Sequence, residues 1–191
     1  MSSFSGTGLP AWSLRLVSEL EAADLRAKSI AGTLRPEQVN WQPQPGAWSI
    51  GQCLDHLAIT NEVYSSAMSN ALQERKPARV QEIRLGWFSR WFIQNYVAPN
   101  PQGRRARAPA KIKPEKSVRG DILAEFLRSN QSARDLIRKA AEYDVNAIRF
   151  PNPLFPLLRF TVGTGLEIIS KHESRHLLQA ERVRQSAGFP E

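Results

Sequence analysis

The chain holds three histidines, and two of them, His172 and His176, stand four residues apart. On an α-helix that offset stacks both rings on one face, one turn apart. Two imidazoles so placed can grip one metal ion, as helical zinc sites do with the same offset. The neighbouring residues say which face this is. Leu166, Ile169, His172, His176, Ala180 and Val183 recur every three or four residues, so the histidines share the apolar stripe of their helix. They are expected to point into a bundle interior, where an unpaired polar group is costly. The third, His56, lies in Cys53-Leu54-Asp55-His56-Leu57, at the edge of another apolar stripe. If the two helices are neighbours, His56 meets His172 and His176 near one end of that interior. Three neutral imidazoles hold zinc at roughly 2.0–2.1 Å and leave a position open for water or substrate, as catalytic rather than structural sites do. The plain alternative is a set of hydrogen-bonded core histidines with no metal.

The elements that must position these rings read as helices. Leu16, Leu20, Ala23, Ala27, Ile30 and Leu34 form a 3.6-period stripe that predicts a helix from about Trp12 to Leu34, ended by Pro36. Ser49-Ile50-Gly51-Gln52 reads as a capping box, with Trp48 placed to staple onto Cys53. The second helix then runs from about Ile50 to Arg75, carrying Leu54, Leu57, Asn61, Tyr64, Met68 and Leu72 along one side. A third spans Asp121 to about Tyr143, and the last begins near Thr161 to Thr164 and ends at Gly188. Pro151, Pro153 and Pro156 exclude regular helix between the last two. No strand pattern is found. Four amphipathic helices predict an all-α four-helix bundle. The connections 35–48 and 76–120 are long enough for crossovers, which leaves the order in space open.

Composition fits one soluble globular domain spanning residues 1–191, with 41% hydrophobic and 23% charged residues. No apolar run approaches the roughly 20 residues of a membrane span, so no membrane partner is expected. The start, Met1 to Pro10, lacks a basic flank and an apolar signal core, and the single cysteine excludes an internal disulfide. A cytoplasmic location is expected. The charge of +8 is concentrated. Between Pro99 and Arg119, seven basic residues (Arg104, Arg105, Arg107, Lys111, Lys113, Lys116, Arg119) face one acid, Glu115. That stretch has no aromatic residue on which a base could stack, so a nucleic-acid partner is not expected. It reads as a solvated loop, with an anionic substrate or partner as the alternative. Within the irregular segment 77–118, Trp87, Phe88, Trp91, Phe92, Ile93, Tyr96 and Val97 suggest a small helix over one end of the bundle, or a lid.

Two stretches carry a resemblance. Trp41, Pro43, Pro45, Gly46, Trp48-Ser49-Ile50-Gly51-Gln52 and Asp55-His56-Leu57, followed by His172-Glu173, His176, Gln179 and Arg182-Val183, are similar to the DinB-like superfamily. The resemblance implies a four-helix bundle, often up-down-down-up, frequently dimeric, with His56, His172 and His176 as the metal ligands. It implies a divalent ion, Zn, Ni, Fe or Mn, and chemistry such as transfer of a low-molecular-weight thiol onto an electrophile. The irregular insertion at 77–118, between the second and third helices, is the departure from the pattern.

The leading expectation is a metal-dependent enzyme, a thiol S-transferase or a metal-assisted hydrolase, with a small-molecule thiol or electrophile as partner and a homodimeric state. The rival is a non-catalytic metal-binding or stress-response protein whose basic segment contacts an acidic partner or nucleic acid. Cys53 could be a fourth ligand or nucleophile, but a lone helical cysteine more often packs as a small hydrophobe. Asp55 and Glu173 are rotated about 100° from their neighbouring histidines and are expected to face solvent or to support the ligands. Asn61, Tyr64 and Asn130 look inward and are candidates to support the ligands or touch substrate. No nucleotide, flavin or haem signature is present.

Overall fold

The computed structural model describes residues 8–99, 108–118 and 120–191. In chain order the elements are α1 (Ala11–Ala31), α2 (Pro36–Asn40), α3 (Ile50–Leu72), α4 (Trp87–Phe92), α5 (Ile122–Ala140), β1 (Arg149–Pro151), β2 (Arg159–Thr161) and α6 (Val162–Arg184). α1 stops short of Leu34, and Pro36 opens α2 instead of closing α1. Proline suits a first helical turn because its fixed φ and missing N–H cost nothing there. α3 starts as its sequence dictates. Ser49 Oγ accepts the Gln52 N–H and Gln52 Oε1 accepts the Ser49 N–H, both at 3.1 Å. Gly51 is demanded by packing: an added Cβ would lie 2.2 Å from Val118 Cγ2 and 2.8 Å from Val39 Cγ1. The aromatic segment forms α4 and a following π turn, Ile93–Val97. Phe88 and Phe92 rest on Phe160, with ring centroids 6.2 and 5.2 Å away.

The proline-rich stretch corrects the expectation that no strand exists. β1 and β2 pair antiparallel with Phe150 opposite Phe160, and both rings are buried. Three residues per strand are too few for alternation to show, and a strand of this ribbon is an edge, where proline is tolerated. Thr161 then caps α6, its Oγ1 accepting the Thr164 N–H at 3.2 Å. The helix ends at Arg184, and Gly188, with φ 81°, lies beyond the end rather than at it.

The long helices run up-down-down-up. α1 and α6 are parallel, since Arg15 meets Glu167 and Arg26 meets Glu181. α3 opposes α6, placing His56 against His172 and Met68 against Gly165. α5 opposes α1: Ala27 and Ile30 share a cluster with Ile122 and Phe126, while Trp12 and Leu16 join Ile137 and Ala140. α1 therefore lies diagonal to α3, and α5 to α6. A parallel α3–α5 pair needs a connection that returns on the order of 30 Å. The stretch between Leu72 and Ile122 supplies it.

The interior has three levels. One apolar cluster, including Leu16, Met68, Ile137, Phe150 and Leu166, fills the hairpin end. A second, including Ala27, Ile50, Leu54, Phe126 and Leu177, fills the other. Between them every long helix turns polar: Asp24 on α1, Asn61 on α3, Ser129 and Asn130 on α5, His172 and Glu173 on α6.

Candidate metal centre

α3 and α6 bring the three imidazoles together. His56 Nε2 lies 3.2 Å from His172 Nε2. The ring centroids form a triangle with sides of 4.8, 4.6 and 4.5 Å. One ligand atom from each ring lies within 4.8 Å of the other two. The set sits at mid-height beside the polar level, not near an end of the bundle, because His172 is halfway along α6.

The outer nitrogens fix which atoms face inward. His56 Nδ1 is 2.6 Å from the Ile112 carbonyl oxygen, which can only accept, so the proton is on Nδ1 and Nε2 carries the bare lone pair. His176 Nδ1 meets Gln179 Oε1 at 3.0 Å, with the same consequence. His172 Nδ1 is buried without a partner. Burial, the neighbouring imidazoles and the Arg175 charge hold His172 and His176 well below the usual imidazole range. Burial lowers His56 as well, against the opposing pull of the Ile112 carbonyl and Asp55. Neutral imidazole is the form that binds metal. A tetrahedral ion with bonds of roughly 2.0–2.1 Å would set its nitrogens about 3.3 Å apart. The observed spacings, from 3.2 Å up to 4.8 Å, bracket that value, so the donor set fits a divalent ion.

Two further residues shape the space. Trp48 stacks on His176 at 5.5 Å and tilts against His56 at 4.8 Å, forming a wall. It also packs against the second apolar cluster. Arg175 donates to the Tyr96 and Ala98 carbonyls at 3.3 and 3.4 Å and has no carboxylate partner among the described residues. Its charge is close enough to act on His172 and His176. Sequence reasoning missed Arg175 and Ile112. Gln179 stood in the recognised motif, and its offset of three from His176 was the available signal.

The remaining candidates fall into place. Cys53 is fully buried, burial pushes its thiol up, and it is outside the imidazole group, so it packs as a hydrophobe. Asp55 accepts the Glu115 N–H at 2.9 Å and pins the connection to α3. Glu173 does not face solvent. It is 1% exposed, and Asn61 Nδ2 donates to its Oε1 at 2.8 Å. The turn away from His172 points it toward the bundle axis because α6 is flanked by α1, α3 and the π turn. Burial pushes its carboxyl up to about 8. Asn130 donates to Leu20 O at 3.0 Å and Asp24 Oδ1 at 2.7 Å, and also neighbours Glu173. Tyr64 lies elsewhere, its hydroxyl accepting from Asn152 at 3.0 Å beside Phe150. Among the basic residues, Lys111, Lys113 and Lys116 are exposed; Arg104, Arg105, Arg107 and Arg119 lie outside the described residues.

An up-down-down-up bundle with three converging imidazoles defines a recognisable class. The model of the DinB superfamily matches residues 16–180, and the chain belongs to that superfamily. It is 26% identical over 162 residues to the uncharacterized protein YuaE of Bacillus subtilis (strain 168), covering 80% of this chain and 86% of that protein. It also resembles the solved structure of YfiT from Bacillus subtilis, with a TM-score of 0.60 and 15% identity over 99% of this chain and 95% of that one. YfiT is described as "a probable metal-dependent hydrolase with an unusual four-helix bundle topology". The shared feature is the fold.

Proposed function

We propose that this protein is a divalent-metal-dependent enzyme acting on a small molecule, with His56, His172 and His176 holding the ion. The observation that carries this reading is the set of converging imidazoles, two of them locked with Nε2 inward, with no fourth ligating side chain among the described residues. Such a set leaves a coordination position open. When bound there, a divalent ion lowers the pKa of a water or thiol and polarises a carbonyl. The chain's own residues supply the rest. Ile112 and Gln179 keep two rings oriented, Trp48 covers His56 and His176, and Arg175 would draw an anionic nucleophile or substrate toward the ion. Thiol transfer onto an electrophile is the more concrete version, a thiolate being one of the anions that Arg175 would favour. Hydrolysis is the second, supported by what is said of YfiT. Both remain open to one experiment. Untagged protein is analysed for transition metals beside His172→Ala and His176→Ala, then assayed with electrophiles in the presence and absence of low-molecular-weight thiols. About one equivalent of metal, lost in both variants, is expected. Turnover that requires thiol selects transfer, and turnover without it selects hydrolysis. No metal after reconstitution with zinc, nickel, iron and manganese overturns the reading.

A further inference from the structure

The hairpin end of the molecule leaves large apolar side chains in water. Leu157, at the tip between β1 and β2, is 99% exposed, and Trp87 on α4 is 75% exposed. Phe155 and Trp91 are exposed beside them. These positions belong to one end of the bundle, because α4 rests on β2 through Phe88, Phe92 and Phe160. Basic side chains occupy the same end of the bundle. Phe150 and Phe160 take the inner face of the hairpin, so Arg149 and Arg159 share its outer face, and Arg159 stands two residues from Leu157. Arg90 is exposed on α4 between the two tryptophans. None of these three arginines has an ion-pair partner among the described residues. An apolar rim of Trp, Phe and Leu carrying unpaired arginines is what the headgroup boundary of a bilayer accepts.

The geometry points to this end as a peripheral docking surface for an anionic lipid bilayer, with Leu157, Phe155 and Trp87 entering the interface and Arg90, Arg149 and Arg159 meeting phosphates. Among the described residues no helix is long and apolar enough to cross a membrane, and surface docking requires none. Two other occupants fit less well. A second copy, in a two-fold contact, would set the same arginines against each other. A nucleic-acid strand could stack on Trp87, Trp91 and Phe155, but the most exposed residue, Leu157, is aliphatic and suits an acyl boundary rather than a base. Docking is independent of the histidine centre.

The test uses the full-length protein with vesicles of pure phosphatidylglycerol against vesicles of pure phosphatidylcholine. Co-sedimentation with the anionic vesicles alone is expected, weakening with salt, together with a blue shift of tryptophan fluorescence. Leu157→Ser and Trp87→Ser should each weaken binding about tenfold, from the lost apolar burial. Arg149→Gln and Arg159→Gln should each cost about fivefold, whereas Lys28→Gln, an equal charge loss at the opposite end, should not. All are surface changes, and unaltered thermal melts confirm folding. The inference fails if neither vesicle binds at low salt, or if both bind equally. Undiminished binding of Leu157→Ser and Trp87→Ser would assign the contact to charge elsewhere and also overturn it. A dimer in sedimentation equilibrium that Leu157→Ser dissolves would give the surface to a second copy instead.

Discussion

The hairpin end of the bundle and its middle level are built from the same four helices on opposite terms. At the hairpin end, Phe150, Met68 and Leu166 interlock, and Gly165 lets them close. A Cβ there would lie 2.5 Å from Met68 Sδ and 2.7 Å from Phe150 Cζ. In the middle, His172 Nδ1, Asn61 Oδ1, Asn130 Oδ1 and Glu173 Oε2 are buried without protein partners. Each such atom costs about 1–3 kcal/mol if nothing satisfies it. A core selected for stability alone would not gather them. The apolar ends therefore hold the molecule together, and the middle level is where it can gain from a ligand.

The largest effect should come from the apolar end. Phe150→Ala removes a fully buried ring and should cost about 3–5 kcal/mol in guanidinium unfolding. The metal content of the protein that remains folded should be unchanged. A loss of metal in step with stability would mean that the ends and the middle are not separable. Next comes the middle level itself. Zinc at about a thousand times its dissociation constant should stabilise the chelator-stripped protein by about 4 kcal/mol. That gain should vanish in His172→Ala and His176→Ala, measured as the shift in melting temperature.

A smaller, pH-dependent effect separates Glu173 from the histidines. Its folded carboxyl titrates at about 8, against about 4.3 for an unperturbed glutamate. A raised acid contributes stability that is fully present below the unfolded value and is lost as pH rises through the folded one. The lowered histidines act in the opposite sense, losing stability as pH falls below their unfolded value near 6.5. Comparing metal-free wild type with Glu173→Gln cancels the histidines. The variant should match wild type below about pH 4 and exceed it by a few kcal/mol above about pH 8, on the order of the linkage between the two values. An identical pH profile for both proteins would show that Glu173 is solvated.

The contrast between levels was partly legible in the residues. The apolar stripes, the capping box and the three histidines are local patterns, and each led to the right helix and face. Glu173 was not legible, because its burial depends on α6 having neighbours on three sides, which its own periodicity does not carry. The hairpin was hidden because its prolines signal only the end of a helix. Ile112 and Arg175 were hidden for a third reason. One offers a backbone carbonyl from a distant loop, and the other a charge held by the carbonyls of Tyr96 and Ala98. Neither kind of contact leaves a trace in residue spacing.

The smallest expected effect asks whether the start of α3 serves the ends or the middle. Ser49 satisfies an otherwise unpaired amide, so Ser49→Ala should cost about 1 kcal/mol of stability. The same residue fixes the approach of Trp48, whose ring covers His56 and His176. Trp48 is also held by the second apolar cluster, so its position does not rest on the cap alone. The orientation of His56 comes from Ile112, and that of His176 from Gln179. Zinc affinity, measured by competition with a chromophoric chelator, should therefore stay within about twofold of wild type while stability drops. If affinity falls along with stability, the cap is setting how Trp48 covers the histidines. The division between a structural end and a functional middle would then have to be redrawn to include the first turn of α3.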